Sequence, residues 1–515
     1  MKYQLFDYQR DAAVGCLNRL ARGRRDWREE KSHSSFALSA ITGAGKTVVA
    51  TAVIEALLFG SADLDTVADP RATFLWVTDD PALNRQTKNK MLASSDLMQP
   101  ARLRILDDDF LDSSLSPGRV YFLNTQKLSK NAGLAQGGRN LRQYSMWEVL
   151  ANTVNSGTVD LYLVLDEAHR GMQRSADRNT IVQRIISGGA GPNSAVPVVW
   201  GISATIARFT AAMDGVTDRT SYPYVEVDVE KVRASGLVKD EIGLDEPDEK
   251  GVFGNTLLRE AVKATVDYDR RWAKYAAEQS ERLVQPVLVV QVPDKASEAH
   301  LAELVAVIES EWPELGPDAI AHVFGEHERL HIGGRAVDWV QPESIEGDAA
   351  VRVVLAKTAI STGWDCPRAE VLYSERPAKD VTHIAQIIGR MVRSPLTHRI
   401  ATDDVLNSVA CFLPLFDRKA LEQIKAELEG TGASGGETRI GPSVVRAPKV
   451  FERNPNVEAG VFAVIEALPS LPAPDVLANP LRRAKELTRL LTDTAPGAAL
   501  LPDAGKKLTK ALMAK

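Results

Sequence analysis

Between a short apolar run, Phe36 to Ala40, and a helix-forming run, Thr47 to Leu58, the chain inserts Ile41-Thr42-Gly43-Ala44-Gly45-Lys46. The first run reads as a buried strand and the second as an apolar helix, so the glycines fall on a strand-to-helix turn. Backbone amides of such a turn can wrap phosphates, and the helix N-terminus adds a partial positive charge. Lys46 then reaches the outer phosphates of a nucleoside triphosphate such as ATP, and the Thr47 hydroxyl is placed to ligate Mg2+. Thr42, Gly43, Ala44, Gly45, Lys46 and Thr47 are therefore the expected nucleotide-binding residues. Ala40 stands where this pattern usually has its first glycine, a change the turn tolerates because Gly43 and Gly45 carry it. The bland alternative is a glycine-rich helix cap with an incidental lysine.

The strand-and-helix rhythm continues as in a parallel sheet with crossover helices. Strands are expected at Phe36 to Ala40, Thr73 to Val77, Val120 to Leu123, Leu161 to Leu165 and Val198 to Ile202. A second series follows at Val287 to Val292, Ile320 to Phe324, Val351 to Leu355, Val371 to Ser374 and Val409 to Leu413. The fold class is α/β, with two domains in tandem, over 1–235 and 286–426. Residues 236–285, with an acidic stretch from Asp240 to Lys250 and a helix from Leu257 to Arg282, read as the connector between them. Residues 427–515 begin with a glycine-dense linker, Gly430 to Gly441, and continue as a mainly helical extension with a basic segment from Leu481 to Leu491.

At 515 residues the chain is too long for one core. Its net charge of -6 does not exclude nucleic acid, because the charge is uneven. Arg19, Arg22, Arg24, Arg25, Arg28 and Lys31 cluster before the glycine-rich turn, and lysines and arginines recur after residue 480. Each cluster is either a solvated helix face or a nucleic-acid surface. Cys16, Cys366 and Cys411 are too few and too scattered for a disulfide framework or a zinc cluster. No apolar run is long enough to cross a bilayer and no leader is legible, so a cytoplasmic protein without a membrane partner is expected.

Leu161 to Leu165 ends in Asp166-Glu167-Ala168-His169, two carboxylates at the C-terminal edge of a buried strand, where parallel sheets put their chemistry. Asp166 is suited to hold Mg2+ opposite Thr47, and Glu167 to orient and deprotonate an attacking water. Ser203 and Thr205, at the end of another strand, could report nucleotide state to a second surface, although such residues are more often turn formers. Gln386, Arg390 and Arg393 fall at helical spacing and so share one face of an expected helix. Guanidinium groups brought from a second domain to a γ-phosphate stabilise the charge of phosphoryl transfer. A surface salt-bridge face is the alternative.

Read in order, these motifs resemble those of superfamily 2 helicases of the DEAD/DEAH type, which implies two RecA-like domains. Gly43 to Thr47 resembles motif I, Asp166 to His169 motif II, Ser203 to Thr205 motif III and Gln386 to Arg393 motif VI. Lys357 to Pro367, with its Gly363-Trp364-Asp365, resembles motif V. Together with Thr42 and Ser235 to Asp240, it makes the chain most similar to the Res, or motor, subunits of type III restriction enzymes. The resemblance implies that Gln9 reads the adenine and that Gly363 and Asp365 touch the nucleotide. It also implies that Arg85, Gln86, Thr125 and Thr358 face a nucleic-acid backbone. An ATP-dependent DNA helicase or translocase follows, acting with a methyltransferase or nuclease partner. An RNA helicase and an ATP-gated DNA clamp are the rivals. Res subunits also carry a nuclease signature, Pro-Asp followed by Glu-x-Lys, and none is legible after residue 395. Cleavage by this chain is not expected.

Overall fold

A computed structural model describes residues 1–449 except 79–80, 130–132, 137–142, 167–180, 189–193, 205–208, 211–212, 214–215, 217, 248–253, 358–363, 378–379, 417, 430 and 432–439. Beyond these it describes 457–467, 484, 487–488, 491–492, 501 and 503–513. Residues 1–450 form one compact unit and 451–515 another.

The first sheet contains β1 (His33–Ser39), β2 (Ala72–Thr78), β3 (Leu103–Ile105), β4 (Val120–Asn124), β5 (Asp160–Asp166), β6 (Val198–Ser203), β7 (Arg219–Ser221) and β8 (Val225–Glu226). It is parallel throughout, in the order β3-β4-β2-β5-β6-β1-β7, with β8 also paired to β1. Its central strands are continuous apolar runs because both faces are covered. Helices α1 (Asp7–Glu30), α2 (Lys46–Phe59) and α3 (Pro81–Ser94) bury the face bearing Phe36, Phe74, Trp76 and Trp200. Helices α4 (Met146–Asn155) and α5 (Ile181–Ser187) bury the alternate residues, among them Ala37, Leu75, Leu163 and Val199.

The basic cluster of α1 has a structural task at the N-terminal margin of this sheet. Arg24 pairs with Asp69 at 2.7 Å, and Arg28 pairs with Asp160 at the start of β5. Nearby, the buried Arg219 guanidinium donates to the carbonyls of Ser34 (2.6 Å), Pro197 (3.1 Å), Ile186 (2.8 Å) and Val196 (2.6 Å).

After α6 (Val229–Ser235) the chain enters a second sheet. Its strands are β9 (Glu241–Pro247), β10 (Val287–Gln291), β11 (Ile320–His322), β12 (Leu330–Ile332), β13 (Arg335–Trp339), β14 (Val353–Ala356), β15 (Ala369–Ser374), β16 (Ser408–Phe412) and β17 (Ser443–Lys449). The order is β12-β13-β11-β14-β10-β15-β16-β9-β17, parallel except for the β12–β13 hairpin. Helices α7 (Gly254–Gln279), α8 (Glu298–Glu311), α9 (Val381–Met391) and α10 (Arg418–Glu429) complete this domain.

The expected connector over 236–285 is thus part of the second domain. In β9, Ile242 and Leu244 alternate into the core, and the acidic residues flanking them, Glu241, Asp245 and Glu246, mask that period in the sequence. Helix α7 buries Leu258, Ala261, Val262, Thr265, Tyr268 and Trp272 at helical spacing. The second domain also continues past 426, because β17 lies against β9 after the glycine-dense segment.

Lys239 and Glu370 form a fully buried ion pair beneath this sheet. Lys239 also donates to the Ser408 carbonyl at 3.0 Å, and Trp272 Nε1 donates to Glu370 at 2.7 Å. In the C-terminal unit the described helices are α11 (Ala459–Ala467) and α12 (Ala504–Met513); the basic segment from Leu481 to Leu491 lies largely outside the described residues. Among the described residues no helix is long and apolar enough to cross a membrane.

Candidate active site

The glycine-rich turn leaves β1 and enters α2 at the C-terminal edge of the first sheet. Gly43 and Gly45 have φ of 88° and 80°, left-handed conformations that a side chain would strain. Space imposes the same choice: a Cβ on Gly43 would lie 2.6 Å from Val238 Cγ1, and one on Gly45 2.5 Å from Gln9 Nε2. Lys46 Nζ folds back over the turn to the carbonyls of Ala40 (3.0 Å) and Ile41 (3.3 Å).

Two residues of α1 brace the turn from behind. The Tyr8 hydroxyl donates to the Ala44 carbonyl at 3.1 Å, and burial pushes this phenol up to about 12. Gln9 Nε2 donates to the same carbonyl at 3.2 Å while its Oε1 accepts the Phe6 amide at 3.2 Å. Gln9 is buried, with both ends of its amide engaged.

Strand β6 separates β1 from β5, and register brings their ends level: Ser39 lies opposite Ser203, and Asp166 opposite Ile202. Ala40 N donates to the Ser203 carbonyl at 3.2 Å, tying the turn to the end of β6. The half-buried Asp166 thus stands one strand away from the turn. The other expected residues here, Glu167 and Thr205, lie outside the described residues, as do Gly363 and Thr358. An ammonium, a hydroxyl and a carboxylate around a turn too tight for side chains form a donor set that fits a magnesium-bound triphosphate.

The second domain meets this edge directly. Helix α9 buries Ile384, Ile387, Ile388 and Met391, leaving Gln386 and Arg390 half-exposed on its other side. The helix ends at Met391, so Arg393 does not share its face as the spacing predicts. Pro395 disfavours helical backbone at Ser394, and the segment pairs with residues 237–239 instead. Lys239 N donates to the Val392 carbonyl (2.8 Å), Ser394 N to that of Leu237 (3.0 Å), and Arg393 bridges Val238.

This extended course lays the Arg393 stem on the turn, 3.6 Å from a Cβ position at Gly43. The Arg393 guanidinium reaches Asp365 at 2.5 Å, and Arg390 donates to the Trp364 carbonyl at 3.0 Å. Asp365 also takes Lys90 Nζ, from α3 of the first domain, at 2.5 Å. Burial alone would raise the Asp365 carboxyl, but Arg393 and Lys90 outweigh it and hold the group below its ordinary range. Burial, reinforced by Arg393, draws the Lys90 ammonium down. Nothing local in the sequence marks Lys90, whose partner is 275 residues away.

Arg85 is exposed and Gln86 half-exposed early in α3, which follows β2; Thr125 is half-exposed in the turn that follows β4. All three share the C-terminal edge of the first sheet with Asp166 and the glycine-rich turn.

Residues 2–208 match the family described as type III restriction enzyme, res subunit. The match spans α1 to α5 and β1 to β6 of the first domain. No curated protein matches the chain. Among solved structures, the DEAD-box helicase Mss116 bound to ssRNA and UDP-BeF is similar at 14% identity and a TM-score of 0.45, over 95% of this chain and 84% of that one. The ATP-dependent type ISP restriction-modification enzyme LlaBIII bound to DNA is similar at 12% identity and a TM-score of 0.45, over 87% of this chain and 32% of that one. A fragment of a protein described as an HsdR subunit of a type I restriction enzyme, from Vibrio vulnificus YJ016, is similar at 16% identity and a TM-score of 0.43, over 87% and 70%. Likenesses of this degree carry no argument about substrate.

Proposed function

We propose that this chain is an ATP-dependent DNA translocase or helicase. The observation that carries the reading is the meeting of Arg393, from the second domain, with Gly43 of the first domain. Lys46 would neutralise the outer phosphates of ATP, with Thr47 and Asp166 holding Mg2+, which supplies charge neutralisation between them. Glu167, next in sequence, would orient the attacking water. Arg390 and Arg393 would complete the site from across the junction. Opening and closing of the junction then moves nucleic acid held across both domains, by Arg85, Gln86 and Thr125 on the first and Thr358 on the second. Backbone contacts of this kind give low sequence preference. The motor would hand DNA to a partner nuclease or methyltransferase.

The test is ATP turnover with single-stranded DNA, duplex DNA and RNA as activators. DNA-stimulated turnover is expected, abolished by Lys46→Ala and lowered on the order of a thousandfold by Arg393→Ala. Stimulation by RNA alone would overturn the DNA assignment, and nucleotide-dependent DNA binding without movement would make the chain a clamp.

A further inference from the structure

We propose that Lys90 is the positioning residue for Arg393, acting through the carboxylate of Asp365 that the two cations share. Both reach the same oxygen, Oδ2, at 2.5 Å, one from each domain. Among the described residues Asp365 has no other ion-pair partner. Two cations on one oxygen repel each other, so each loosens the other's hold. With Lys90 in place, Arg393 can leave Asp365 for a phosphate without stranding a half-buried carboxylate. Without Lys90, that departure leaves the charge unpaired, and Arg393 stays where it is.

The same residue ties the nucleic-acid side to the nucleotide side. Lys90 follows Gln86 by four residues on α3, so the two lie on one helix face. A displacement of α3 by bound nucleic acid is thereby carried to Asp365 and Arg393. This part rests on the function proposed above; the shared carboxylate does not.

The experiment uses the full chain as wild type, Lys46→Ala, Lys90→Ala, Lys90→Arg and a neighbouring control, Lys88→Ala. Its first readout is the kcat and KM for ATP with and without duplex DNA. The second is energy transfer in the nucleotide-free protein between dyes on Leu111→Cys and Leu283→Cys, exposed positions in the first and second domains. The natural cysteines are all buried, which keeps the labels at the introduced sites. For Lys90→Ala we expect kcat to fall about tenfold or more with KM little changed, as for a misplaced catalytic group, and loss of stimulation by DNA. Energy transfer falls as well, because a link between the domains is gone. Lys90→Arg restores both and Lys88→Ala alters neither.

The proposal is overturned if Lys90→Ala leaves energy transfer unchanged, or leaves unchanged a turnover that Lys46→Ala abolishes. A wild type without Lys46-dependent turnover would instead sink the proposed function, and energy transfer alone would then decide whether Lys90 joins the domains.

Discussion

Lys239 and Glu370 meet at 1% and 0% exposure inside the second domain, whereas Lys90 and Asp365 meet at 37% and 15% where the two domains touch. The charges are alike, but the surroundings assign them different parts. Burial pulls the Lys239 ammonium down and lifts the Glu370 carboxyl, and the opposite charge of each partner works against that drift. Backbone carbonyls and the Trp272 indole satisfy what remains, and burial keeps bulk solvent from replacing a lost partner. Asp365 is half-buried with a second cation beside the first, and can exchange one partner for another. A sealed pair fixes a fold; an open one can be part of a moving joint.

The largest expected effect tests the sealed pair. Lys239→Met strands Glu370 and should cost about 3–5 kcal/mol in urea unfolding of the second domain. The double variant Lys239→Met with Glu370→Leu should recover most of that loss, and a double variant no better than the single one would contradict a mutually dependent pair. Lys90→Ala, by contrast, should change unfolding stability by less than about 1 kcal/mol, because the pair is partly solvated. A loss as large as that of Lys239→Met would erase the distinction.

Salt separates the pairs more finely. Raising ionic strength from about 0.05 M to about 0.5 M should lower energy transfer between the labelled domains while leaving the effect of Lys239→Met on unfolding unaltered. The smallest effect is that of pH. The Asp365 carboxyl is depressed in the fold, so its contribution is full above the ordinary aspartate value of about 3.9 and is lost only as pH falls through the lower folded value. Energy transfer at constant salt should therefore stay flat from about pH 7 to about pH 4 and decline below it. A decline centred near pH 6 would point to a different group.

What could be read from the sequence was what the chain keeps local. The glycine-rich turn, its strand and its helix are contiguous, and each expected strand of the two series overlaps an observed one, because buried parallel strands are apolar throughout. Asp166 and Ser203 follow such strands, so their edge was legible too. Charge hid β9, whose core-facing Ile242 and Leu244 are set among acidic residues. Distance hid Lys90, whose partner lies 275 residues away, and it equally hid the pairing of Arg28 with Asp160. The end of α9 was misplaced because helical spacing continues through Arg393, while Pro395 and the strand-like pairing with Val238 stop the helix at Met391.

The position of β9 between β16 and β17 has a consequence for biosynthesis. A ribosome making this chain releases β9 about 160 residues before β16, the first of its two neighbours, exists. At roughly 5–20 residues per second, a strand with both edges bare must wait on the order of ten seconds. Among the described residues the first sheet has all its strands by residue 226, and it can fold in that interval. The acidic residues that disguise β9 in the sequence are then the feature that keeps it soluble while it waits, since charge on a bare edge discourages pairing with other chains.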